Sequence, residues 1–146
     1  MSLRKAFIFI LLIFIISFKQ IYATGVGIKI FDGSPEIALT FKSHTYGNNS
    51  QLDISWSNGL YLGADYLMHF YPVGGSIELY LGLGGAIYLS NNTSIDLRLP
   101  LGIGIFLSKL EIFIEGAPLV GLYPDMVNKL SSPKMALGIR YYFSSF

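Results

Sequence analysis

His44 and His69 are the only two histidines in this 146-residue chain, and His69 follows Asp65 by four positions. With any of the serines, they supply the residue types of a Ser-His-Asp hydrolase. Their spacing argues against that chemistry. On a strand, four residues put Asp65 and His69 about 13 Å apart, so they form no direct dyad. The chain has no cysteine, which removes thiol nucleophiles, thiolate metal ligands, disulfides and anchoring through a lipidated cysteine. No phosphate loop, dinucleotide fingerprint or metal-ligand spacing occurs. Gly82-Leu83-Gly84-Gly85 reads as a strand whose glycines make room for bulky neighbours. The expectation is a protein that is not an enzyme and has no cofactor and no metal.

The remaining charges are more informative, because they fall at fixed places in a period-two pattern. Ile95, Leu97, Leu99, Leu101, Ile103, Ile105 and Leu107 alternate with Asp96, Arg98, Pro100, Gly102, Gly104 and Phe106, so one face is aliphatic and the other mixed. The same alternation puts Glu78, Glu111, Glu115 and Arg140 on mixed faces, and Asp65 shares a face with His69. If these faces line a narrow interior, each charge needs a partner. Arg98 and Arg140 are expected to pair with Glu78, Glu111 or Glu115, with Lys42 and Asp65 extending the network.

The elements that carry these residues read as eight strands: 25–31, 36–43, 52–57, 60–71, one from Ile77, 95–107, one from Leu110, and 135–143. They are separated by turn-forming runs such as Asp32-Gly33-Ser34-Pro35, Ser57-Asn58-Gly59 and Ser108-Lys109. Val120 to Lys134 is the one long connection. Pro100 and Pro118 fall inside strands, where a missing backbone donor belongs to an edge or a bulge. Ahead of all this, Arg4 and Lys5 precede the apolar run Ala6 to Phe18, and Ile21-Tyr22-Ala23 ends on a small residue. That is the pattern of a secretory signal over 1–23, leaving one domain over 24–146.

Composition bounds the class. With 52% apolar and 13% charged residues, disorder is excluded, and a net charge of +1 argues against a nucleic-acid partner. Without residues 1–23 the chain has seven Lys and Arg against nine Asp and Glu, a mildly acidic exported protein. A soluble lipocalin-like barrel would show the same period with its aliphatic face inward. The mixed face here, rich in Gly, Ala, Tyr and Ser, has too few charges for a soluble surface and is small enough to fill a narrow barrel. The expected fold is therefore all-β: an eight-stranded antiparallel transmembrane barrel with its aliphatic face toward lipid, closed because hydrocarbon cannot satisfy a sheet edge. Tyr61, Tyr66, Tyr71, Tyr80, Tyr88, Tyr141 and Tyr142 read as interfacial girdle or lumen packing.

Several segments resemble a known group. They are Gly33-Ser34-Pro35-Glu36-Ile37-Ala38-Leu39-Thr40 with Lys42, Ala64-Asp65-Tyr66-Leu67-Met68-His69-Phe70, Arg98-Leu99-Pro100-Leu101-Gly102, Glu115-Gly116-Ala117-Pro118, and Gly138-Ile139-Arg140-Tyr141-Tyr142-Phe143. In this order the chain resembles small bacterial outer-membrane β-barrels of the spirochaete, Borrelia type, similar in architecture to the OmpA transmembrane domain. The resemblance implies a bacterial outer-membrane location. It also implies a closing aromatic strand read by the outer-membrane assembly machinery, with Tyr141 and Phe143 or the added Phe146 as the signal. That family has no settled activity to lend. Two functional expectations follow from the residues: a monomeric surface or structural barrel with a side-chain-filled lumen, or a narrow pore for ions or small solutes. In the first, Tyr123, Asp125, Met126 and Lys129 form an external loop offered to an extracellular or host protein.

Overall fold

A computed structural model describes residues 24–32, 36–43, 49–57, 59–70, 75–91, 93–123 and 130–143, with backbone only at 24, 69, 70 and 130–133. Residues 1–23, where a signal is expected, and His44, Tyr71, Asp125, Met126, Lys129 and Phe146 lie outside the described residues, as does the side chain of His69.

The chain forms β1 (Thr24–Phe31), β2 (Ile37–Ser43), β3 (Asn49–Ser55), β4 (Leu60–Phe70), β5 (Ile77–Leu89), β6 (Ser94–Arg98), β7 (Leu101–Leu107), β8 (Leu110–Tyr123) and β9 (Leu130–Tyr142). Every neighbouring pair is antiparallel, and β1 pairs with β9, closing the sheet into a barrel. β6 and β7 are two halves of one wall strand, both held between β5 and β8, so the wall has eight staves. The interruption is at Leu99 and Pro100, where Pro100 has no N–H to give. Its carbonyl still accepts from Gly82 N at 2.7 Å. Pro118 sits at a register shift between β8 and β9, the bulge that relieves its missing donor.

Two expected boundaries move. The long connection expected over Val120 to Lys134 is mostly strand, since Val120 pairs with Leu130 and Leu119 with Ser131. Tyr123 is therefore the last residue of β8 and not part of a loop. β3 starts at Asn49 instead of Leu52, because Asn49 and Gln51 continue the inward face of Asp53 and Ser55. A polar strand end there carries the composition of a turn.

The register determines the barrel's shape. From Gly27 the pairings run through Thr40, Asp53, Gly63, Ala86 and Asp96 to Gly121, whereas in the other direction Gly27 reaches Glu111 through Arg140. Those two arrivals on β8, at 121 and 111, differ by ten residues, which is the shear. Eight staves with this shear tilt about 41° and enclose a backbone radius of about 8 Å, an interior that side chains fill.

Polarity is inverted relative to a soluble barrel. Arg98, Arg140, Lys29 and Lys42 are wholly buried inside, while Leu101 is 59% and Leu137 57% exposed outside. The described wall turns most of its aliphatic side chains outward, with Leu67 and Leu119 as inward exceptions. Inward glycines oppose large side chains: a Cβ at Gly102 would overlap the Tyr80 ring, and one at Gly138 would strike Phe113 and the Ile28 carbonyl. Gly85 faces outward and meets only the Asp96 carbonyl at 3.7 Å. Gly138→Leu is therefore expected to destabilise the barrel by about 1–3 kcal/mol or more through overpacking, and Gly85→Leu to change little. Urea unfolding of the two variants checks this, and equal losses would contradict the assigned faces.

Candidate functional site

Among the described residues, ionisable side chains concentrate in the lumen. Four cations, Lys29, Lys42, Arg98 and Arg140, meet five carboxylates, Asp53, Asp65, Glu78, Glu111 and Glu115, all buried. Each is placed by the period of its strand: Lys29 between Ile28 and Ile30 on β1, Asp53 between Leu52 and Ile54 on β3, and Arg140 between Ile139 and Tyr141 on β9.

These side chains form two clusters. The upper one, toward Phe31 and Tyr61, centres on Glu115. Its Oε1 accepts from Lys29 Nζ at 2.8 Å and Arg98 Nη2 at 2.7 Å, and its Oε2 accepts from Gln51 Nε2 at 2.7 Å and the Tyr80 hydroxyl at 2.9 Å. Asp53 is paired with Lys29, and its Oδ2 lies 2.7 Å from Arg98 Nη2. Arg98 also donates to the Tyr61 hydroxyl. Asp65 faces Arg98 Nε at 3.2 Å, without the alignment of a hydrogen bond.

The lower cluster, toward Phe106 and Tyr142, centres on Glu111. Arg140 Nη1 donates to its Oε2 at 3.1 Å, Tyr142 donates at 2.6 Å, and Lys42 lies 3.2 Å from its Oε1. Lys42 also reaches Glu78 at 3.3 Å. Thr40 accepts from Arg140 Nη2 at 3.0 Å. Gln51 joins the clusters, since its Oε1 accepts from Arg140 Nη2 at 2.6 Å while its Nε2 donates to Glu115.

Aromatic rings close the network above and below. Phe31 and Tyr61 meet edge to face at 6.1 Å, and Lys134 lies 5.6 Å and 5.5 Å from their ring centres. Below, Phe106 and Tyr142 are 5.8 Å apart, and Lys42 lies 4.6 Å from the Tyr80 centre. Arg140 stacks on Phe113 at 3.6 Å, where a guanidinium gains from the ring face while keeping its in-plane donors free.

Of the residues expected in this network, Lys42, Asp65, Glu78, Arg98, Glu111, Glu115 and Arg140 come together. Glu78 meets Lys42. Asp96 stands apart: it lies toward the upper rim, half-buried, and is in none of the ion pairs among the described residues. Lys29, Asp53 and Gln51 were not among the expected members, although Lys29 and Asp53 each sit between outward aliphatics and so have the same period-two signal; Gln51, between Ser50 and Leu52, has it on one side only. Tyr141 and Phe143 are exposed at the lower end, with rings 5.6 Å apart. Among the described residues no group of three metal-ligating side chains occurs. Comparison with family models, curated proteins and solved structures finds no match for this chain.

Taking ions out of water costs several kcal/mol each, and removing one partner leaves the other buried and uncompensated. Arg98→Met and Glu115→Gln are therefore expected to lose about 3–5 kcal/mol each. Asp65→Asn should lose less than either, because Asp65 has no aligned hydrogen bond and is the carboxylate in excess of the cations. Chemical unfolding in detergent checks the order, and Asp65→Asn as the costliest of the three would contradict it.

Proposed function

We propose that this chain is an integral barrel of a bacterial outer membrane, exported by a signal over residues 1–23. In this reading its lumen is plugged by its own side chains and it acts through its outer surface rather than by transport or catalysis. The observation that carries the reading is the inverted polarity: aliphatic side chains outside a closed, edgeless sheet, and a paired charge network inside. Hydrocarbon tolerates only a sheet with no free edge, and water does not favour an outer wall of this kind. The resemblance to small spirochaete outer-membrane barrels supports the same location, with Tyr141 and Phe143 as its assembly signal.

The lumen favours a closed barrel over a narrow pore. A backbone radius of about 8 Å is crossed at several levels by Glu115, Arg98, Gln51, Arg140 and Glu111, with aromatic rings at both ends. Function then belongs to the external end, where β8 and β9 stand beyond the last β1 pairing and expose Leu122 and Tyr123. An extracellular or host protein is the class of partner such a rim serves. The test is planar-bilayer conductance of the purified protein, once heat-shifted gel mobility shows a folded barrel. A silent membrane is expected. Discrete ion-selective steps that vanish when Arg98 or Arg140 is replaced would establish the pore instead.

A further inference from the structure

The outward apolar face is not the same height all round. On β5 it runs from Ile77 to Leu89, across β6 and β7 from Ile95 to Leu107, and on β8 from Leu110 to Leu122. At the tilt set by the shear, each of these runs is about 30 Å tall. On β4 and β9 the described side chains of these runs, Leu60 to Met68 and Met135 to Phe143, cover about 20 Å. On β1, β2 and β3 they shrink to Val26 to Ile30, Ile37 to Phe41 and Leu52 to Trp56, about 10 Å each. Polar outward positions follow at once: exposed Asp32 above Ile30 on β1, and half-buried Ser50 below Leu52 on β3.

An outer-membrane barrel normally carries an apolar band about 25 Å tall, so β1–β3 cannot meet a bilayer of that thickness. Corrected for shear, the centres of the short and tall bands fall at about the same height, so the deficit is shared by both leaflets. Leaning the barrel moves one edge up and the opposite edge down, and cannot lengthen a short side. The change in height is graded, tall to intermediate to short to intermediate to tall around the circumference. A continuous taper suits a deformable bilayer, whereas a second protein would cover a patch that ends abruptly.

Resting on the membrane reading above, we propose that the barrel thins the bilayer along β1–β3, drawing phospholipid headgroups of both leaflets toward the midplane on that face alone. Thinning lets Asp32 above and Ser50 below keep their contact with water and headgroups, which hydrocarbon would deny them. Ser50 gives the sharpest readout. Following the register across three strand gaps, with about 1.25 residues of shear per gap, it lies level with Ile103, well inside the tall face and two residues from its midpoint at Leu101.

The chain has no cysteine, so Ser50→Cys and Ile103→Cys each accept a single nitroxide. The full chain, produced in an exporting bacterium and reconstituted into phosphatidylcholine vesicles, is examined by spin-label collision with oxygen and with a water-soluble nickel chelate. The expected result is hydrocarbon behaviour at position 103, favouring oxygen, and a several-fold higher nickel collision rate at position 50. Hydrocarbon behaviour at both positions would overturn the thinning while keeping the barrel in the membrane. Protection of position 50 from both reagents would also overturn it, in favour of a second copy covering the face. Nickel access at both positions would overturn the membrane reading and the thinning together.

Discussion

Everything in this molecule depends on balancing charge inside a narrow cylinder. Once residues 1–23 are set aside, nine of the sixteen formal charges are buried in the lumen, where each unpaired ion would cost several kcal/mol. The shear of ten residues sets a radius at which Glu115 on β8 can reach Lys29 on β1, 86 positions away in sequence, and Gln51 on β3 at the same time. A wider barrel would leave those carboxylates to water, and a narrower one would not hold Arg98 and Arg140 together. Inward glycines such as Gly102 and Gly138 belong to the same constraint, since they free the volume that Tyr80 and Phe113 occupy.

Burial of ions is weak evidence for stability by itself, because well-packed apolar residues of the same volume often do as well. What the network adds is a single arrangement of the lumen. Glu115 accepts four hydrogen bonds from four different strands, and Gln51 ties the upper cluster to the lower through Arg140. A slip of one residue in any of these strands would turn its charge outward among aliphatic side chains. The charged interior therefore selects the register as well as filling the space.

The strands were legible in the sequence because period two is a local signal. The run from Ile95 to Leu107 shows its faces without reference to any other segment, and so do those holding Glu78, Glu111 and Arg140. Lys29 and Asp53 carry the same signal in shorter strands, where fewer alternations support it. The pairing scheme was not readable, since it depends on shear, which only closure of β1 on β9 determines. Asp96 shows the limit of local reasoning. It shares a face with Arg98 but sits nearer the upper rim, so side-chain direction was available from the pattern while height was not. Pro118 marked a bulge and Pro100 an interruption, both as a missing donor requires.

The central claim is that cross-barrel ion pairs hold the lumen shut and in register. A double-mutant cycle tests it most directly: Arg98→Met, Glu115→Leu and the pair together, compared with the parent chain by equilibrium urea unfolding in detergent. Strong coupling is expected, with the double variant recovering at least about 1.5 kcal/mol of the summed single losses, because removing both partners restores the parent lumen's net charge and leaves neither of the two facing the other's absence. Simple additivity of the two losses would contradict it.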